Sequence, residues 1–201
     1  MRSNGGLIGA KKIPNTSAAS GLWSTQDVQR EVGAGNWITA ADFESITTIT
    51  VGVSGSASET FSSIPQTYKH LQLRWMSRSS GGAYNPIFRF NEDTGNNYSW
   101  HYIDGNGTSA TSGGGGTQNS ILIAGIGGTA STFAVGIMDI LDYTNTNKFK
   151  TVRILQGADY NGSGAVDLWS GSWQSSTAIT SIYCGFSSAQ YSKYALYGIK
   201  G

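Results

Sequence analysis

The sequence predicts an all-β protein: a jelly-roll or lectin-like antiparallel β-sandwich preceded by an extended N-terminal arm and one short helix. Three observations predict this fold class. Apolar and polar residues alternate along many short segments, which is the pattern of strands with one buried face. Clusters of Gly, Asn, Asp and Ser, which favour turns, separate these segments. Charged residues make up only 12% of the 201 residues, and 28 residues are glycine, so uncharged residues supply most of the polar surface.

The clearest strand pattern lies between Leu71 and Tyr102. Leu71, Leu73 and Trp75 alternate with Gln72, Arg74 and Met76. A second apolar run leads into a cluster of Asn, Asp and Gly at 91–97. This cluster predicts a turn that reverses the chain. Because two strands cannot bury an apolar face alone, the rest of the chain is expected to supply a second sheet.

The N-terminal part of the chain differs in composition from the rest. We predict an extended anchoring arm at 1–20, a clip helix and linker at 21–44, and the β-sandwich domain at 45–201. The arm is rich in Gly, Ser and Asn, so it is either a disordered leader or a segment that orders on a partner. Spaced apolar residues favour the second alternative, and the predicted partner-anchoring residues are Leu7, Ile8, Ile13, Trp23, Val28 and Trp37.

A short helix is predicted at 25–32. Ser24 precedes it as a capping residue, and Asp27 stands where the acid of a capping box belongs. Gly33 is expected to end the helix in a left-handed conformation. Val28 and Val32 form a narrow apolar stripe, so the helix is expected to dock on another surface.

The remaining strands follow from alternation and turn residues. They are predicted at 46–53, 60–64, 120–126, 132–143, 149–158, 165–173, 179–186 and 194–200, with a hairpin turn at 159–164. Residues 104–119, which include four successive glycines at 113–116, are predicted to form a long mobile loop.

Composition argues against several classes of partner. The net charge is +1, which does not suit a nucleic-acid-binding protein. No apolar segment approaches the length of a membrane span, and we expect neither an export signal nor a membrane partner. The single cysteine, Cys184, excludes an internal disulfide and is expected to be buried.

Catalytic and metal-binding patterns are weak. The chain has only His70 and His101, no nucleophile elbow, and no phosphate-binding ending after its glycine run. One cysteine and two separated histidines disfavour zinc, and the acidic turn at 91–96 is interpreted as a structural turn rather than a calcium site. We therefore expect no enzyme, no cofactor and no metal. The carboxylates available for glycoside cleavage are Glu92, Asp93, Asp104, Asp139, Asp142 and Asp159, and the sequence does not pair any two of them.

Aromatic residues suggest a different kind of site. Tyr98, Trp100 and Tyr102 alternate just before the predicted loop. One interpretation is core packing. The other is a candidate glycan rim formed by Trp100, Tyr102, Gly113 and Gly114, where sugar rings stack on exposed aromatic faces at the edge of the sandwich.

Several blocks of the sequence resemble a family of virion proteins of tailed bacteriophages. RFNEDTGNNYSWH at Arg89–His101 is similar to the RFN-x-DTG-x-NY block of that family, and FSSIPQTYKHLQLR at Phe61–Arg74 is similar to its preceding strand. The ending YALYGIK at Tyr194–Lys200 resembles its C-terminal strand, with Ala195 where Ser is common. The segment from Ile13 to Trp37 resembles a leader of phage structural proteins.

The resemblance implies a structural virion protein with no catalytic residues, assembled in the host cytoplasm and carried on the particle. The expected function is a tail-fibre or receptor-binding subunit anchored by its N-terminal arm. A capsid decoration (cement) protein is the alternative, and a glycan depolymerase is a third, remote one. The expected partners are other virion proteins, a host surface glycan and further copies of the chain, as a homotrimer.

Overall fold

A computed structural model of the chain describes residues 24–34 and 43–201. The chain divides into two units, Met1–Ala41 and Asp42–Gly201, each of which is considered by itself. The predicted anchors Leu7, Ile8, Ile13, Trp23 and Trp37 lie outside the described residues, and so does the side chain of Val28.

The helix α1 spans Thr25–Gly33, and its predicted start is confirmed. The backbone N–H of Asp27 donates to the Ser24 hydroxyl over 3.2 Å, and the Ser24 hydroxyl donates to the Asp27 carboxylate over 2.7 Å. This is the reciprocal arrangement of a capping box. The predicted end is wrong: Gly33 lies inside the helix without a left-handed φ. The N–H of Ala34 continues the ladder to the carbonyl of Arg30, so no left-handed residue is needed at this position.

Twelve strands, all paired antiparallel, make up the second unit. They are β1 (Phe43–Thr50), β2 (Glu59–Phe61), β3 (His70–Ser77), β4 (Ile87–Phe90), β5 (Tyr98–Gly105), β6 (Ala110–Gln118), β7 (Ile121–Leu122), β8 (Ala134–Ile140), β9 (Lys150–Asp159), β10 (Gly164–Trp173), β11 (Ile182–Gly185) and β12 (Lys193–Ile199). An eight-stranded sheet has the order β1-β12-β3-β8-β9-β10-β5-β6, and a four-stranded sheet has the order β2-β11-β4-β7. The predicted all-β sandwich is confirmed.

The core lies between the two sheets. Trp75 of the large sheet packs against Phe88 of the small sheet and against Phe186, with ring centroids 5.4 and 5.7 Å apart. Alternation explains this core, because β3 buries Leu71, Leu73 and Trp75 on one face. Cys184 is fully buried in β11 as predicted, and its burial raises the pKa of the thiol.

The predicted loop at 104–119 is not a loop. Most of it is the edge strand β6, which pairs with β5 through a hairpin whose tight turn is at 106–109. The side-chain oxygen of Asn106 accepts hydrogen bonds from the N–H groups of Thr108 and Ser109, each 2.9 Å long. The glycine run therefore belongs to a sheet, and the chain reverses at 106–109, before the first of those glycines.

Candidate functional site

The structure brings the four residues of the candidate glycan rim to the β5–β6 hairpin. Tyr102 pairs with Gly113, and the same ladder pairs His101 with Gly114 and Trp100 with Gly115. A β-carbon on Gly113 would lie 2.8 Å from Cε1 of Tyr102, and one on Gly115 would lie 2.8 Å from Cζ2 of Trp100. The rings therefore occupy the space where side chains of β6 would otherwise stand.

The rim residues do not all share one face of the sheet. Trp100 and Tyr102 point toward the inner face, where they are half-buried and pack against the core. His101 points to the outer face and covers Gly114. Gly114 therefore does not belong to the surface that Trp100 and Tyr102 form, and Gly115 takes its place.

A third aromatic residue, absent from the sequence-based candidate, completes the cluster. Trp169 of β10 is buried and stacks on Tyr102, with centroids 4.4 Å apart and planes 24° apart. Its centroid lies 5.4 Å from that of Trp100. Core packing thus accounts for much of this cluster, while Trp100 and Tyr102 are only half-buried beside the glycine strand.

Polar groups lie next to the rings. Asp104 follows on the same face of β5 and accepts a hydrogen bond from the Thr111 hydroxyl of β6. Its cross-strand neighbour on β10 is Asp167, which is buried. Burial raises the pKa of Asp167, the amide of Gln156 lowers it in part, and the charge of Asp104 raises it further. The sequence did not single out Asp167, because one acid in an alternating strand gives no signal of its pairing partner.

The acidic turn at 91–97 is a structural clamp, as its interpretation as a structural turn predicts. The Asp93 carboxylate accepts hydrogen bonds from the N–H of Gly95, from the Asn97 amide and, over 2.7 Å, from Nε1 of Trp173. Burial alone would raise the pKa of Asp93, but these three donors hold it below its ordinary value. The carboxylate therefore bonds both the turn itself and Trp173 of β10.

Asn91 and Tyr98 extend this clamp. The side-chain oxygen of Asn91 accepts from the N–H groups of Thr180 and Ser181, and its amide donates to the Ala178 carbonyl. The buried Tyr98 hydroxyl accepts from the N–H of Phe90. Burial raises the pKa of Tyr98 to about 12. Asn91, Asp93 and Tyr98 of the RFNEDTGNNY block therefore hold the turn between β4 and β5 in place.

The outer face of the large sheet carries exposed apolar side chains that are absent from the sequence-based candidates. Large apolar side chains are exposed there on adjacent strands, including Ile103, Val135, Leu155, Val166 and Leu168. Three shallow grooves of about 650, 510 and 460 Å³ lie along it. The available signal was that apolar residues occupy both parities in β8, β9 and β10, which is typical of strands covered on both faces.

Other predicted groups are spread over the fold. The histidines His70 and His101 lie on β3 and β5, and the N–H of Asp142 donates to Nδ1 of His70 over 2.9 Å.

Across the described ranges, no three His, Cys, Asp or Glu side chains are grouped to hold a metal ion. Within the part of the chain that the structure describes, no helix is long and apolar enough to cross a membrane.

Comparisons of the chain with known families, proteins and structures find no significant match. No family profile matches the chain, no curated protein is significantly similar to it, and no solved structure matches its fold significantly.

Proposed function

We propose that this chain is a structural protein of a tailed-bacteriophage particle, and that its sandwich is a tail-fibre or receptor-binding subunit anchored by the N-terminal arm. The proposal rests first on the resemblance of the Arg89–His101 block to a sequence block of tailed-bacteriophage virion proteins. In the structure, Asn91, Asp93 and Tyr98 of that block form the turn clamp between β4 and β5. A block that carries structural rather than chemical roles suits a virion scaffold, and no catalytic step is included in the proposal.

The observation that favours receptor binding is the aromatic surface at the β5–β6 edge. Trp100 and Tyr102 are half-buried beside a strand whose glycines carry no side chains to cover them. Sugar rings stack on such faces, and the polar side chains of Asp104 on β5 and of Gln118, which lies beside Gly115 on β6, provide hydrogen-bonding groups. A host surface glycan is the proposed ligand of this edge.

A glycan array of bacterial surface polysaccharides tests the ligand. The variant Trp100→Phe keeps an aromatic ring in the core but reduces the stacking area, so glycan binding is expected to weaken several-fold. Trp75→Phe is the matched control, because Trp75 is buried away from this edge at 3% exposure. Equal binding by the wild type and the folded Trp100→Phe variant would remove the glycan proposal.

The capsid decoration alternative draws on a different observation, the exposed apolar outer face of the large sheet. Such faces are normally covered, and a particle surface is one place where this happens. Deleting residues 1–20 tests the anchoring common to both functions. The truncated chain is expected to fold but to be absent from particles, whereas its incorporation at full occupancy would exclude an anchoring arm.

A further inference from the structure

Two adjacent rows of side chains cross the outer face of the large sheet, and they differ in size. The hydrogen-bonded register places Leu155 beside Ile137 and Leu168, and Leu168 beside Ile103. We call these four residues the long row. Two residues away on each strand lies the short row, which consists of Val135, Gly157, Val166 and Gly105.

The short row contains a hollow at Gly157. Its neighbours across the two ladders are Val135 and Val166, which are 54% and 62% exposed. A β-carbon on Gly157 would have no heavy atom closer than 3.7 Å, and Gly157 has no left-handed φ. Two of the grooves, of about 650 and 460 Å³, share these three residues. The long row supplies the matching protrusion, because Leu155 is 50% exposed.

We propose that this face binds the same face of a second copy of the chain, with the two β9 strands antiparallel and a two-fold axis passing at Gln156. Residues at equal distances before and after Gln156 then face each other, so Leu155 of each copy sits over Gly157 of the other. The same rotation places the long row of one copy on the short row of the other along all four strands. Leu155 and Ile103 therefore meet the glycines Gly157 and Gly105, while Ile137 and Leu168 meet the shorter valines Val135 and Val166, and such interdigitation is typical of well-packed interfaces.

The charges on β9 fit the same axis. Arg153 and Asp159 lie on the outer face of β9 at equal distances from Gln156, so the arrangement brings Arg153 of one copy opposite Asp159 of the other. Within one copy, Arg153 also contacts Asp139 over 2.7 Å. The central rows carry no charge, and the charged groups at the border are of opposite sign where they meet.

These features favour a second copy over an unrelated partner, because one surface supplies both the protrusion and the hollow at a spacing that only a two-fold axis matches. The face measures about 20 Å in each direction from strand spacing and rise. That corresponds to about 400 Å² per copy, or roughly 800 Å² in total, which is below standard-size interfaces and in the range of weak, transient ones, so we expect a weak dimer that forms only at high protein concentration. The inference does not depend on the proposed function.

Sedimentation equilibrium of the full chain over a range of concentrations tests the interface. The wild type is expected to show a monomer–dimer equilibrium instead of the homotrimer that the sequence predicts. Gly157→Val fills the hollow, its β-carbon makes only ordinary contacts inside one copy, and valine suits a strand, so the dissociation constant is expected to rise at least about tenfold. Gly116→Val is the matched control, since Gly116 lies on the edge strand in open space and outside both rows. It is expected to dimerise as the wild type does.

A double variant tests the antiparallel register itself. Leu155→Ala combined with Gly157→Leu exchanges the protrusion and the hollow, so dimerisation is expected to return relative to Gly157→Leu alone. A monomeric or trimeric wild type would overturn the inference. So would unchanged association of a folded Gly157→Val variant, or a failure of the exchange to restore the dimer while near-UV circular dichroism shows native packing.

Discussion

The ring of Tyr102 lies across Gly113 of the neighbouring strand, 2.8 Å from the position that a β-carbon would occupy. The ring thus takes the place of the side chain that the glycine lacks. Trp100 does the same for Gly115 on the same face, and His101 covers Gly114 on the other. Aromatic rings that cover glycines of an edge strand restore contacts that a bare backbone would lose.

The first prediction follows from this contact. Gly113→Val forces its side chain against the Tyr102 ring, so the free energy of unfolding is expected to fall by about 1–3 kcal/mol. Gly116→Ala, in open space, is the control and is expected to be neutral or slightly stabilising. Urea denaturation measures both. Equal stabilities of the two variants would show that the ring does not occupy this space.

The pairing of β5 with β6 also explains why most residues at 104–119 form a strand although their sequence predicts a loop. A run of Gly, Ser and Thr has no apolar alternation, so it predicts a loop. Its strand conformation depends on rings that another strand supplies, and single-sequence patterns do not show such pairings. By contrast, β3 and β9 alternate over whole segments, and local pattern alone was sufficient to predict them.

In the candidate site, too, some residues follow from local sequence pattern and others depend on strand pairing. Trp100 and Tyr102 were predictable because their parity and spacing are local. Trp169 and Asp167 were not, since their places beside Tyr102 and Asp104 arise from the pairing of β10 with β5. Gly114 lies on the opposite face from Trp100 and Tyr102 because β6 alternates as a strand, and a predicted loop carries no such alternation.

The second prediction concerns the turn clamp. Asn91→Ala removes three hydrogen bonds between the Asn91 side chain and backbone groups of the segment at 178–181. We expect the free energy of unfolding to fall by about 2–3 kcal/mol. Glu92→Ala is the control. Both residues have left-handed φ values, 51° and 57°, a conformation that asparagine adopts more readily than glutamate or alanine, so Asn91→Ala also adds backbone strain of about 1 kcal/mol. Chemical denaturation measures both variants, and an Asn91→Ala loss no larger than that strain would contradict the clamp.

The third prediction uses the raised pKa of Asp167. The unfolded chain ionises this group first, so the wild type loses stability as pH rises from the unfolded pKa through the raised folded one. Asp167→Asn removes that loss. Its stability gain is expected to be absent below the unfolded pKa of about 3.9 and to grow as the pH rises toward neutral. Thermal unfolding as a function of pH measures it, and a gain that is constant with pH would argue against the shift.

The fourth prediction has the opposite sign. Because the donors around Asp93 lower its folded pKa, its stabilisation is present above the unfolded pKa and is lost as pH falls through the folded one. Asp93→Asn is expected to cost about 1–2 kcal/mol at neutral pH, and the cost should shrink in acid. The same pH series applies to this variant, and a cost that persists unchanged below the folded pKa would refute the assignment.

Cryo-electron microscopy of the intact phage particle, with the chain located at subunit resolution, tests the proposed function most directly. The account predicts the β-sandwich on the tail, in the small copy number of a closed symmetric fibre. Copies spread over the capsid in numbers on the order of hundreds would identify the decoration alternative instead. Absence of the chain from purified particles would contradict the virion assignment.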